Sequence, residues 1–192
     1  KVTVDASGDG LDSNSNLIIE GGEIYVNGPT NDGDGALDYD GTATISGGTF
    51  VAVGSSGMVQ GFSDSSTQCS ILYNLSSSHS AGEKITLADS SGNEIISYTS
   101  TKQFSSVVIS SAKITKSGTY KLTVGSESYD IEMSSTVYSN GSNGFGGGGM
   151  GGNKPDGFGR GNNGKPPKMP NGENSGMTPP DRPNEEISTT NT

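Results

Sequence analysis

The chain has 192 residues, of which 28% are apolar and 31 are glycine, and it carries no tryptophan. Such a composition buries a core over only part of its length. The formal net charge of −10 repels nucleic acid and anionic lipid and excludes both as partners, and a single cysteine, Cys69, excludes an intrachain disulfide.

The charge is uneven. Residues 1–66 hold ten acidic side chains against Lys1 alone, residues 67–138 hold six acidic and five basic, and residues 139–192 hold five of each. An acidic first third suits cations, or ligands reached through cations. No export signal or apolar run of membrane-spanning length is visible. The chain opens inside a predicted strand, so the expectation is a fragment with further coils and any export signal upstream.

The first predicted elements are short strands at Val2–Val4, Leu17–Glu20, Glu23–Val26, Ala43–Ser46 and Thr49–Val53. They repeat. Placing Gly21-Gly22 on Gly47-Gly48 sets Leu11 on Leu37, Asp12 on Asp38, Asn14 on Asp40, Ile19 on Ile45 and Ile24 on Phe50. At a shorter offset Val2 falls on Ile24 and Val4 on Val26, because the loop Asn27 to Ala36 is longer than the loop Asp5 to Gly10. Repeats of this length with Gly/Asn/Asp turns predict a solenoid, and a parallel β-helix fits best. Equivalent residues would stack about 4.8 Å apart. Met58 is a candidate for the start of another turn.

Seven aspartates lie between positions 5 and 40: Asp5, Asp9, Asp12, Asp32, Asp34, Asp38 and Asp40. In the repeat register Asp12 stacks on Asp38. Like charges directly opposite destabilise a sheet, and a hard cation reverses that sign. Calcium takes six to eight oxygens from carboxylates, amides, carbonyls and water. Asp12, Asp38 and Asp40 are the leading metal candidates, with Asp5, Asp9, Asp32, Asp34 and Asn14 behind them. The competing reading is that these residues only favour tight turns. The stretch "DSNSNLIIEGGE" imitates an EF-hand loop, but Leu17 stands where glycine is required and no helices flank it. Tyr25 and Tyr39 are candidate carbohydrate-stacking residues, while Phe50 reads as packing.

Residues 67–138 read as a small antiparallel β domain that caps or follows the coils. Its candidate strands are Ser70–Leu75, Lys84–Ala88, Glu94–Thr99, Ser106–Ser110, Tyr120–Val124 and Tyr129–Met133. His79 reads as an exposed loop residue and Cys69 as packing. Residues 139–192 hold 14 Gly and seven of the eight Pro, which predicts a disordered tail. Its "GFGGGG" satisfies a dinucleotide-loop pattern but follows no βαβ unit.

The strings "GDGLDSN", "NGPTNDGDGALDYDG", "ISGGTFVAVGSSGM" and "GTYKLTVG" resemble a secreted bacterial family of carbohydrate-binding β-helix proteins related in fold to polysaccharide lyases. The resemblance covers about residues 1–125. It implies a right-handed parallel β-helix, bound calcium, a secreted or cell-surface location, and binding of plant cell-wall polysaccharide such as cellulose or pectic acid. Two other readings compete with a non-catalytic binder. A calcium-dependent pectate lyase needs a base, commonly Arg or Lys, beside the uronate. Both arginines lie in the tail, and Lys1 is the only basic residue before Lys84, so any such base would lie in upstream coils. A structural adhesin module would use calcium only to stiffen the coils. The expectation is therefore a non-catalytic, calcium-stabilised polysaccharide binder with no catalytic residues of its own.

Overall fold

The computed structural model describes residues 1–141. The predicted disordered tail, apart from its first three residues, lies outside the described residues, as does "GFGGGG". The described chain is all-β, with no helix long and apolar enough to cross a membrane. Its strands are β1 (Val2–Asp5), β2 (Leu11–Ser13), β3 (Leu17–Ile19), β4 (Glu23–Asn27), β5 (Leu37–Tyr39), β6 (Ala43–Ile45), β7 (Thr49–Gly54), β8 (Ser70–His79), β9 (Lys84–Asp89), β10 (Glu94–Thr99), β11 (Phe104–Ser111), β12 (Thr119–Val124), β13 (Glu127–Glu132) and β14 (Val137–Ser139).

The first seven strands form three parallel ladders. β1 lies on β4 with Val2 opposite Ile24 and Val4 opposite Val26, and β4 lies on β7 with Ile24 opposite Phe50. β2 lies on β5 with Leu11 opposite Leu37, and β3 on β6 with Ile19 opposite Ile45. These registers are the two sequence offsets. The short triplets β2 and β5, expected from the repeat as a stacked Leu11–Leu37 ladder but not among the predicted strands, are paired strands in their own right. Gly22 and Gly48 hold the same corner one repeat apart, with φ of 89° and 90°. That left-handed conformation favours glycine, and a Cβ on Gly48 would also collide with the Gly22 carbonyl.

The third member of the β2·β5 and β3·β6 ladders is not a strand. Residues 59–68 close them with single contacts. The Gln60 side-chain oxygen accepts from Tyr39 N at 2.9 Å, Ser66 Oγ accepts from Ile45 N at 3.2 Å, and Ser63 N donates to Ala43 O at 2.8 Å. Open edge groups are thus satisfied without another repeat. Met58 lies on the surface at 42% exposure rather than starting a buried turn, whereas Val59 beside it is buried.

The predicted boundary at 66/67 does not interrupt the sheet. β7 pairs antiparallel with β11, β11 pairs antiparallel with β8, and β8 pairs parallel with β14. The six-stranded order is β1-β4-β7-β11-β8-β14. β9, β10, β12 and β13 form a separate antiparallel sheet in the order β10-β9-β12-β13. The segment read as a small domain therefore supplies strands to both sheets.

The six-stranded sheet is a wall between two cores. Phe50 and Ala52 of β7, Val108 of β11 and Leu72 of β8 face a core with Val26, Leu37, Ile45 and Phe62. Val51 and Val53, Ile109 and Ile71 face the opposite core with Ile85, Leu87, Leu122 and Ile131 of the other sheet. Burial on both faces explains why "FVAV" lacks polar alternation. Phe62 meets Phe50 edge-on with centroids 4.9 Å apart, a favoured aromatic geometry.

Candidate functional site

On β2 and β5 the side chains alternate. Leu11 and Leu37 turn inward, and Asp12 and Asp38 face out as register partners. Asp12 is exposed and Asp38 half-buried. The Asp38 carboxyl is held above the ordinary value of 3.8, first by burial and then by the charges of Asp9, Asp12 and Asp40. Four carboxylates therefore share one region of potential. Asp9 is partly committed, because its Oδ1 accepts from Gly35 N at 2.8 Å across the repeat. Asp40 is anchored through its backbone N, which donates to Ser13 O at 3.1 Å, and its side chain is exposed, as is Asn14.

The other predicted ligands have protein partners. Asp5 meets the Lys102 ammonium at 2.7 Å and accepts from Thr101 Oγ1 at 2.9 Å. The Lys102 contact first, then Thr101, holds its carboxyl below the ordinary range. Asp32 accepts from the Ser55 hydroxyl, and Asp34 accepts from Asn31 Nδ2 at 2.8 Å. Asp34 thus closes its own turn, whereas Asp5 at the end of β1 and Asp32 tie together segments remote in sequence.

The ladder supplies hard oxygen donors, which fit calcium rather than a thiophilic metal. Among the described residues, no three His, Cys, Asp or Glu side chains converge on one metal-holding point. The ladder accordingly offers two stacked carboxylates, Asp12 and Asp38, flanked by Asp9 and Asp40, and backbone carbonyls and water would complete a calcium shell.

Tyr39 requires a correction. It is 8% exposed and its hydroxyl donates to Gly61 O, so its ring cannot offer a face to a sugar. The cause is strand alternation, which puts Tyr39 on the same inward face as Leu37. Tyr25 is different. It is half-buried and stacks on Tyr98 of β10, with centroids 5.3 Å apart and an interplanar angle of 13°. Lys1 Nζ lies 4.9 Å from the Tyr25 centroid. Together they border an open groove of about 380 Å³ between β1–β4 and β10. The sequence reading missed Tyr98, which no local pattern ties to a residue so far upstream.

His79 is not an exposed loop residue. It ends β8 and is 6% exposed. Its Nδ1 lies 2.7 Å from Glu83 Oε2 and its Nε2 3.9 Å from Glu127 Oε2, and the ring stacks near Phe104 at 5.6 Å. Hydrogen bonding to His79, and then to Ser80 N, lowers the Glu83 pKa. Cys69 is buried, and burial pushes its thiol up, the opposite of an activated nucleophile.

No family model matches the chain, and comparisons with curated proteins and with solved structures find no match.

Proposed function

We propose that this chain is the calcium-stabilised, non-catalytic polysaccharide-binding part of a secreted or cell-surface protein, with β1–β7 forming coils of a right-handed parallel β-helix. The observation that carries the reading is the in-register parallel stacking of Asp12 on Asp38, with the Asp38 carboxyl held above its ordinary value first by burial and then by the charges of Asp9, Asp12 and Asp40. An arrangement that gathers like charge at a cost to the fold makes sense when a divalent cation offsets it. Asp12 and Asp38 would hold such an ion, and its charge would let an acidic protein meet the carboxylates of pectic acid. The three parallel ladders and their glycine corners support the β-helix reading of the coils.

A lyase reading receives less support. Lys1 sits near Glu23 at 3.9 Å and against Tyr25, and Lys102 is bound to Asp5. Lys102 is thereby committed to Asp5, and Lys1 lies over the Tyr25 ring. Calorimetric titration of the full chain with calcium, and then with pectic acid in the presence of calcium or chelator, tests the reading. Expected are calcium binding, and polymer binding that needs calcium and weakens with salt. Release of unsaturated product absorbing in the ultraviolet would establish a lyase instead. Calcium binding without polymer binding would favour an adhesin module.

A further inference from the structure

His79 is the chain's only histidine, and the acidic ladder does not use it. It ends β8, is 6% exposed and stacks near the buried Phe104 ring. Its two ring nitrogens have different surroundings. Nδ1 lies 2.7 Å from Glu83 Oε2. The contact with His79 first, and then Ser80 N, which donates to Glu83 Oε1 at 3.0 Å, keeps Glu83 ionised. An ionised carboxylate can only accept, so Nδ1 carries the proton. Gly125, at φ 56°, leaves room for this contact, because a Cβ there would strike the Glu83 carboxylate.

Nε2 is then a lone pair. It is buried and has no hydrogen-bond partner, a costly state for a polar atom. It faces Glu127 Oε2 at 3.9 Å, and the Tyr129 hydroxyl donates to that same oxygen and steadies it. Two acceptors thus face each other, and a positive species between them reconciles the pair. The gap selects which. It is too long for a hydrogen bond, whose N···O distance is about 2.7–3.2 Å. It suits two metal bonds in series, about 2.0–2.1 Å to an imidazole nitrogen and about 2.0–2.2 Å to a carboxylate oxygen. Bent to a tetrahedral angle those bonds span about 3.4 Å, so the gap must close by about half an ångström. Glu127 can make that movement, since its side chain is 42% exposed.

We infer that His79 Nε2 and the Glu127 carboxylate form a binding site for a borderline divalent cation of the zinc class, where the two sheets meet. β8 belongs to the six-stranded sheet, and Glu127 opens β13 of the four-stranded sheet, so the ion clasps one sheet to the other. Glu83 supports the ring from behind, fixing its tautomer and orientation as carboxylates do for metal-bound histidines. Because Glu83 is committed to Nδ1, the protein gives the ion two donors, and water entering beside Glu127 completes the shell. Imidazole suits zinc, copper and nickel, whereas the all-oxygen ladder suits calcium, so the two sites select different ions. The clasp stands whether or not the chain binds polysaccharide.

The test is titration of the full chain with zinc at near-neutral pH in excess calcium, followed by NMR of the imidazole C–H signals, which a single histidine makes unambiguous. Expected are a saturable one-to-one change in those signals and a higher melting temperature, since the ion binds only the folded site. Glu83→Gln, which alters only the support behind the ring, should weaken zinc affinity by about 10–100-fold. Glu127→Gln, which removes a charged donor, should weaken it by at least as much, and His79→Gln should abolish it. The partly exposed Glu127 decides the matter if His79→Gln fails to fold. Imidazole signals that zinc leaves unmoved would overturn the site and leave a proton as the occupant of Nε2. An affinity undiminished by Glu127→Gln would overturn it equally.

Discussion

Replacing Asp38 with Asn separates a calcium ladder from a set of ordinary turn residues, because the two give opposite signs. Asn is nearly isosteric with Asp and tolerates the same backbone, so the change removes charge and little else. Without calcium, Asp38 faces Asp12 directly across the ladder and feels Asp9 and Asp40. Like charges directly opposite in a sheet cost roughly 0.2–1 kcal/mol, and Asp38 is only half-buried, so solvent keeps the value in that range. Asp38→Asn should therefore raise the melting temperature in chelator by about 0.4–4 °C, taking about 2–4 °C per kcal/mol for a domain of this size. With free calcium at about one hundred times Kd, the wild-type fold gains about 2.7 kcal/mol. The variant, lacking one of two stacked ligands, should gain much less, so it becomes the less stable protein in calcium.

The assay is thermal unfolding of both proteins in chelator and in calcium, repeated at several pH values. The pH arm has its own sign. A carboxyl whose folded pKa is raised destabilises the fold above that pKa, and the penalty disappears as pH falls through it toward the ordinary value of 3.8. The advantage of Asp38→Asn in chelator should shrink on acidification and vanish once Asp38 is protonated in both states. A variant equally destabilised with and without calcium would refute the reasoning and leave Asp38 as a turn residue.

The parts of this fold legible in sequence are those written twice. Gly21-Gly22 and Gly47-Gly48, or Leu11-Asp12 and Leu37-Asp38, recur because each coil meets the same corner and the same ladder, so superposing the strings gives the register. The burial of Tyr39 was also legible, because in "LDY" the first and third residues must share a face once Leu37 is inward. What sequence could not give is pairing between segments that do not repeat. Met58, read in the place of Leu37, invited a further turn and with it another parallel strand for β7 to pair with. The partner of β7 is instead β11, with Val51 opposite Ile109, a choice fixed by the second core rather than by any local signal. His79 illustrates the same limit. Its neighbours in sequence are serines and small residues, while its burial comes from Phe104 and two glutamates that only the tertiary fold brings together.

Three further predictions follow from the packing. Phe62→Ala should destabilise by about 3–5 kcal/mol, because the ring is 2% exposed and edge-on to Phe50; denaturant unfolding measures it, and a loss below about 1 kcal/mol would mean residues 59–68 do not close the core. Glu83→Gln should flatten the acid limb of the stability curve: a carboxyl lowered by its His79 contact supports the fold above its ordinary value of 4.5 and loses that support as pH falls through the lowered folded pKa. The last compares Leu11 and Leu37, the same residue at equivalent rungs of one ladder. Leu37 is fully buried and Leu11 only half-buried. Leu37→Ala opens a cavity roofed on both sides and should cost about 3 kcal/mol or more, within the range for buried leucines. Leu11→Ala removes atoms that solvent already reaches, so it loses part of the transfer term and leaves no enclosed void, for about 1 kcal/mol. Because residue type, strand and register are matched, the difference between the two urea midpoints isolates the effect of stacking one rung on the next. Equal losses would show that Leu11 is covered in solution, and that the exposed end of the ladder is a packed interface in the working protein.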